Sequence, residues 1–252
     1  MKAMILAAGL GTRLRPLTDD RPKALVTVAG RTLLEITLSR LRSFGVSEVI
    51  VNAHHHARMI ADYLNANDYF GMRIELSLEE NLLDTGGGLK NAAHFFSDSR
   101  RDPFILHNVD VLSTIDLGYM VSLHTNKRAL ATLAVQQRES SRQLIFDEVG
   151  QLCGRRITRA AKAESPEIEW ARPGLGMQER AFSGIHVLSP LIFEKMQEQG
   201  AFSIIDAYLH LASQGENIVA FRADGYYWRD LGRPENLLEA AQDIASGKYS
   251  DN

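Results

Sequence analysis

The chain has 252 residues, with 28 Lys and Arg against 31 Asp and Glu and a formal net charge of −3. That balance provides no basic field for a nucleic acid, and a single cysteine, Cys153, excludes a disulfide framework and a thiolate metal cluster. No apolar run is long enough to span a bilayer, and with a strand beginning at the first residues in place of a signal peptide, the expectation is a cytoplasmic protein with no membrane partner.

Residues 2–8 form an apolar run that reads as a buried strand and stops at Gly9-Leu10-Gly11. The next segment carries Arg13, Arg15, Arg21 and Lys23, while Pro16 and Pro22 prevent a helix from running through it. Glycines let backbone amides approach oxygens closely, and fixed cations offset an anion's charge. Strand, flexible turn and concentrated positive charge therefore point to a polyphosphate site. Two other glycine loops do not fit. A dinucleotide fingerprint needs a third glycine where Leu14 stands, and a P-loop needs Gly-Lys-Ser/Thr, whereas Thr12 and Arg13 follow Gly11.

Further along, Thr32 to Phe44 reads as a helix with Leu33, Leu34, Leu38 and Leu41 on one face and Gly45 as its stop. A strand over 48–52, a helix over 57–64, a strand over 72–78, a helix over 89–96 and a strand over 103–108 follow. This β-α-β-α rhythm predicts a parallel sheet covered on both faces, with right-handed crossovers. The second half reads as a strand over 129–136, a hairpin from 143–147 and 151–157, an irregular polar insertion over 159–180 and a strand over 181–188. Helices over 190–196 and 203–213, strands over 217–222 and 226–231 joined by Asp224-Gly225, and a helix over 233–245 complete the chain. Lys127-Arg128 suits the C-terminal end of a further helix. His54-His55-His56 reads as a polar loop before a helix, since consecutive histidines alternate in direction and rarely converge on a metal.

The run Leu6-Ala7-Ala8-Gly9-x-Gly11-Thr12-Arg13-Leu14-x-Pro16-Leu17-Thr18, followed by Pro22-Lys23, resembles the signature loop of the sugar-1-phosphate nucleotidyltransferases, or nucleotide-sugar pyrophosphorylases. The resemblance covers nearly the whole chain. It implies an α/β, Rossmann-like fold with a mixed, mostly parallel central sheet and helices on both faces. It also implies a single domain over 1–252, with a nucleotide half to about residue 110 and a sugar-binding half after it. The implied reaction joins a nucleoside monophosphate from an NTP, UTP or GTP, to a sugar 1-phosphate and releases pyrophosphate.

A triphosphate is handled with Mg²⁺, which prefers carboxylate and phosphate oxygens. Open α/β sheets bind ligands at the C-terminal ends of their strands. Asp110, ending the run Phe104 to Val109, and Asp230, in Trp228-Arg229-Asp230-Leu231-Gly232, stand at such ends. Each has a plainer reading as a cap of the next turn or helix; the resemblance matches them to the family's metal pair. Many relatives have Gly-Asp where this chain has Val109-Asp110.

The resemblance further assigns Ala7, Ala8, Gly9, Gly11, Thr12, Arg13, Lys23 and Asn108 to the nucleotide, with Arg13 and Lys23 as catalytic cations. Arg13 and the amides near Gly11 and Thr12 hold the β- and γ-phosphates, and Lys23 approaches the α-phosphate. Asp84-Thr85-Gly86-Gly87-Gly88, with Glu79 upstream, is similar to the family's base-recognition loop, so Thr85, Gly86 and Gly87 border the nucleobase. Its glycines fit either a helix N-terminus with bare amides or tight helix–sheet packing.

Phe182-Ser183-Gly184-Ile185 is similar to the family's sugar-side strand, which makes Ser183 and Gly184 sugar contacts; a strand with a glycine bulge is the plainer reading. The Glu-Lys-Pro segment of some branches, whose lysine meets the sugar phosphate, is absent, and Arg142, Arg155 and Lys162 are candidates for its charge. Compact size and these motifs most resemble bacterial N-acetylmuramate 1-phosphate uridylyltransferases and short mannose-1-phosphate guanylyltransferases. Cytidylyl transfer to an acceptor such as phosphocholine and a non-catalytic nucleotide-sugar-binding regulatory protein are the alternatives.

Overall fold

The computed structural model describes residues 1–98, 102–158 and 166–250. In chain order the elements are β1 (Lys2–Leu6), β2 (Thr27–Val28), β3 (Arg31–Thr32), α1 (Leu33–Ser43), β4 (Glu48–Ala53), α2 (Ala57–Ala66), β5 (Arg73–Leu78) and α3 (Asp84–Asn91). They continue with β6 (Phe104–Asn108), β7 (Val111–Ser113), α4 (Leu117–Lys127), β8 (Ala131–Gln136), β9 (Arg142–Phe146), β10 (Leu152–Ile157) and β11 (Glu167–Trp170). The last are β12 (Gln178–Leu188), α5 (Ile192–Lys195), α6 (Ile204–Ser213), β13 (Ile218–Arg222), β14 (Trp228–Asp230) and α7 (Pro234–Ala245).

A ten-stranded mixed sheet organises the molecule, ordered β11-β10-β9-β12-β6-β1-β4-β5, with β8 beside β12 and β13 beside β8. β5, β4, β1 and β6 run parallel, and β4, β1 and β6 are the buried, mostly apolar strands that a sheet covered on both faces favours. Antiparallel pairing enters where β12 joins β6. Alternation along β1 sends Ala3 and Ile5 into one core and Met4 and Leu6 into the other, so apolar layers cover both faces. The register of β1 aligns Leu6 with Asn52 on one side and Asn108 on the other, at the ends where all three strands release their loops.

Local chemistry sets the element boundaries. The Thr32 hydroxyl accepts the Glu35 amide at 3.0 Å and starts α1, Asp116 accepts the Tyr119 amide at 2.8 Å and starts α4, and Pro234 opens α7. Three expectations change. The helix expected from Leu89 begins at Asp84 and takes Gly86, Gly87 and Gly88 inside it. The strands on either side of Asp224-Gly225 do not pair with each other: β13 lies parallel to β8, and β14 crosses to β7 as a separate antiparallel pair. Within the segment expected to be irregular, β11 pairs with β10 and β12 starts at Gln178, while 159–165, including Lys162, lies outside the described residues. Among the described residues no helix is long and apolar enough to cross a membrane.

Candidate active site

Where β1 ends, the chain turns over the ends of β4 and β6. Asn52 Oδ1 accepts the Ala7 amide at 2.6 Å and the Ala8 amide at 3.3 Å. Its Nδ2 donates to Glu79 Oε1 at 2.7 Å, and Glu79 Oε2 accepts the Leu83 amide at 3.0 Å. One buried network thus joins the exits of three neighbouring parallel strands and shapes the loop from Ala7 to Gly11.

Gly11 sits at φ +64°, and a side chain there would press on Thr18 and on Lys23. The Thr18 hydroxyl donates to the Gly11 carbonyl at 2.9 Å, and Leu14 is fully buried beneath a single 3₁₀ turn over Thr12–Leu14. A second 3₁₀ turn over Lys23–Leu25 buries Ala24 and Leu25 and brings Lys23 back under the loop. There its ammonium pairs with the Asp110 carboxylate, both side chains being mostly buried. The loop's four cations therefore divide. Arg15 and Arg21 pair with Asp19 and Asp20 at the surface, whereas Arg13 and Lys23 line cavities.

Two cavities adjoin at Asn108. The smaller, of about 410 Å³, is walled by Ala7, Ala8, Gly9, Lys23, Asn52, Glu79, Thr85, Asn108 and Asp110. The larger, of about 740 Å³, is walled by Arg13, Asn108, Arg138, Arg142, Arg155, Ser183, Gly184, Trp228, Asp230 and Arg233, among others. Pairing of β14 with β7 sets Asp230 opposite Val111, and the Leu231 amide donates to the Asp110 carbonyl at 2.7 Å. The two aspartates, distant in sequence, are thereby neighbours across one ladder, each opening onto its own cavity. Val109 also borders the smaller cavity, yet it is 3% exposed and packs in the core.

The glycine triplet is placed by packing. Side chains on Gly86 and Gly87 would overlap Phe202 and the Gly200 carbonyl, and one on Gly88 would lie 2.6 Å from Glu79 Oε1 and 2.7 Å from Asn52 Nδ2. The amides of Gly86 and Gly87 donate to the Phe202 carbonyl, at 2.9 and 3.3 Å, so neither is bare toward the cleft; Thr85 and Asp84 are the residues of this segment that wall it. The Thr85 hydroxyl in turn accepts the Ile204 amide at 2.9 Å.

On the other side, β12 changes partners, from β9 at Gln178–Arg180 to β6 at Ile185–Leu188, with a bulge between. Gly184 sits there at φ +74°, where a Cβ would lie 2.9 Å from Asn108 Nδ2. The Ser183 carbonyl accepts from Trp228 Nε1 at 2.7 Å. The Arg138 guanidinium stacks 3.8 Å from the Trp228 ring centroid and donates to the Phe182 carbonyl at 2.7 Å. Burial lowers the Arg138 pKa, and the charge of Asp230 opposes that shift. Beneath Asn108, burial pushes His107 down to about 4. The ring is therefore neutral and donates Nδ1–H to the Asn108 carbonyl at 2.8 Å.

The family model described as nucleotidyl transferase matches residues 2–247. The chain belongs to the nucleotidyl transferase family. An N-acetylmuramate alpha-1-phosphate uridylyltransferase of Caulobacter vibrioides is 30% identical, over 96% of this chain and 96% of its own. A UTP–glucose-1-phosphate uridylyltransferase of Synechocystis is 29% identical over 98% of this chain, which spans 64% of that protein's length. The crystal structure of HddC from Yersinia pseudotuberculosis complexed with GMP-PN has the same fold, with a TM-score of 0.75 and 23% identity over 96% of this chain and 99% of that one.

Sequence reasoning about this member of the family missed two residues. Asn52 carried a signal, since it is a polar residue ending the apolar run Val49-Ile50-Val51. Arg138 carried none, because its surroundings come from β12 and β14, far along the chain.

Proposed function

We propose that the protein transfers a nucleoside monophosphate from an NTP to a sugar 1-phosphate with release of pyrophosphate. The observation that carries this reading is the pair of cavities meeting at Asn108, one opening onto Asp110 and Lys23, the other onto Asp230 and Arg13. A reaction between two phosphates needs one compartment for each and a charged boundary between them. The uridylyltransferases among the relatives support the reaction class, and UTP or GTP is the donor we expect. The smaller cavity is walled mainly by the nucleotide half, to about residue 110, together with Ala201, and the larger mainly by the sugar half, together with Arg13 and Asn108.

In this reading a phosphate oxygen of the acceptor forms a bond to the α-phosphorus, while the bond from that phosphorus to the bridging oxygen breaks and pyrophosphate leaves. The attacking oxygen is already anionic, so no general base is needed. Catalysis rests on positioning and charge stabilisation. Asp110, in the turn before β7, and Asp230, on β14 opposite Val111, would be the carboxylates that hold Mg²⁺, a cation that prefers such oxygens together with those of phosphate. When bound, Mg²⁺ supplies charge neutralisation between the two phosphates. Lys23, already held at Asp110, is poised for the α-phosphate, whereas Arg13, expected at the β- and γ-phosphates, lines the larger cavity on the acceptor's side of Asn108. Phosphocholine fits the larger cavity poorly, because its arginines repel a trimethylammonium group and Arg138 already covers a face of Trp228.

Pyrophosphate release tests the reading: the protein with each NTP and a panel of sugar 1-phosphates, with Mg²⁺ or with EDTA. Turnover with one donor–acceptor set that EDTA abolishes is the expected result. No release with any pair sinks it.

A further inference from the structure

We propose that Arg138 is the residue that receives the phosphate of the acceptor. The inference rests on the two-cavity reading above. Five arginines line the larger cavity, and their partners separate them. Arg155 is neutralised by Asp206 and Glu169. Arg233 is exposed and lies 3.8 Å from Glu235. Arg13 and Arg142 are exposed, and no bond to another of the described residues fixes their guanidinium planes. Arg138 alone among the five is half-buried with no carboxylate within 4.0 Å among the described residues.

Its plane is fixed on one side by the Trp228 ring and at one end by the Phe182 carbonyl, while its buried Nε–H has no partner. Trp228 is itself tied to the Ser183 carbonyl, so the guanidinium is held to Phe182 and Ser183 by two routes. A half-buried, oriented arginine with no carboxylate within 4.0 Å among the described residues suits a phosphate in the cavity, whose charge and oxygens complement the guanidinium. Asp230 lines the same cavity, so an acceptor phosphate there stands between the carboxylate that suits Mg²⁺ and the guanidinium. Ser183, whose carbonyl anchors Trp228, lies on the same wall.

The test compares the full chain with Arg138→Gln and Arg138→Lys, using Mg²⁺ and the NTP and sugar 1-phosphate that give most pyrophosphate release in the wild type. The expected result for Arg138→Gln is an acceptor KM raised about ten- to a hundredfold with an NTP KM changed by less than about twofold. Arg138→Lys, which keeps charge but loses the fork, falls between. A second readout is independent of turnover. The chain has 2 Trp, so in a Trp170→Phe background the sugar 1-phosphate changes the fluorescence of Trp228, and Arg138→Gln abolishes the change. An acceptor KM within about twofold of wild type, or both KM values rising together, overturns the assignment and leaves the reaction class standing. A wild type that releases no pyrophosphate with any pair removes the functional reading and this inference with it. Should Arg138→Gln fail to fold, an unchanged acceptor KM in Arg138→Lys overturns the assignment.

Discussion

Lys23 and Asp110, 87 residues apart, form an ion pair with side-chain exposures of only 12% and 13%. The pairing follows from two unrelated pieces of sequence. A 3₁₀ turn buries Ala24 and Leu25 and lifts Lys23 inward, and β6 ends at Asn108 and delivers Asp110 to the same place. Two opposite charges drawn so far out of water each need the other. Lys23→Met or Asp110→Asn alone should therefore cost about 3 kcal/mol in folding stability, and the double substitution less than the sum. Chemical denaturation of the three variants checks this. Each single variant should also lose about a hundred- to a thousandfold in turnover, and the double little more. Additive losses in both measurements would mean that the pair is not a unit.

Gly88 offers a probe of the nucleotide side alone. A methyl group there meets Glu79 Oε1 and Asn52 Nδ2 head on, and the bond between those two atoms orients the Asn52 Oδ1 that accepts the Ala7 and Ala8 amides. Gly88→Ala should raise the KM for NTP by about tenfold or more while leaving the acceptor KM nearly unchanged. Equal effects on both substrates would show that the Asn52–Glu79 network serves the whole fold and not one cavity.

These relationships mark how far the sequence could be read. The strand-to-loop transition at Leu6 to Gly11 was legible because buried parallel strands and glycine turns are local signals. So were the strand-end position of Asp110 and the helix of Leu33 to Ser43. The glycine triplet was ambiguous because its reason lies in Phe202 and Gly200, more than a hundred residues on. The tight turn at Asp224-Gly225 suggested a hairpin, but β13 found a longer parallel partner in β8, and β14 was left for β7. That exchange is what carries Asp230 to Asp110, and nothing near Asp230 announces it.

Acid should loosen the fold before its carboxylates titrate. Burial pushes His107 and His124 down to about 4 and His186 down to about 3, against an ordinary value of about 6.5. The unfolded chain takes up these protons below that value and the folded chain does not. Their contribution is therefore complete above about pH 6.5 and is lost as pH falls toward about 4. Denaturation midpoints measured from pH 7.5 to pH 4.5 should decline, and less steeply in His107→Gln. A wild-type midpoint that stays flat over that interval contradicts it.

The last prediction concerns what holds Asp230 in line. Its neighbour Arg229 donates to Asp243 Oδ2 of α7 at 2.6 Å, Tyr227 donates to the same oxygen at 2.7 Å, and Lys248 reaches the other oxygen at 3.2 Å. The hydrogen bonds from Tyr227 and Arg229 hold the Asp243 carboxyl down to about 2, so this support persists at neutral pH and is lost only as pH falls from about 4 through about 2. Tyr227→Phe removes one donor to a charged oxygen and should cost about 1–2 kcal/mol, a fall of about 3–6 °C in Tm for a chain of this size. Because β14 has only three residues, Trp228–Asp230, some of that loosening must reach Asp230, so kcat should fall by about two- to tenfold with both KM values nearly unchanged. A thermal melt and one kinetic series on Tyr227→Phe decide it: a lowered Tm with wild-type kcat would confine the cluster to stability and detach α7 from the placement of the carboxylate.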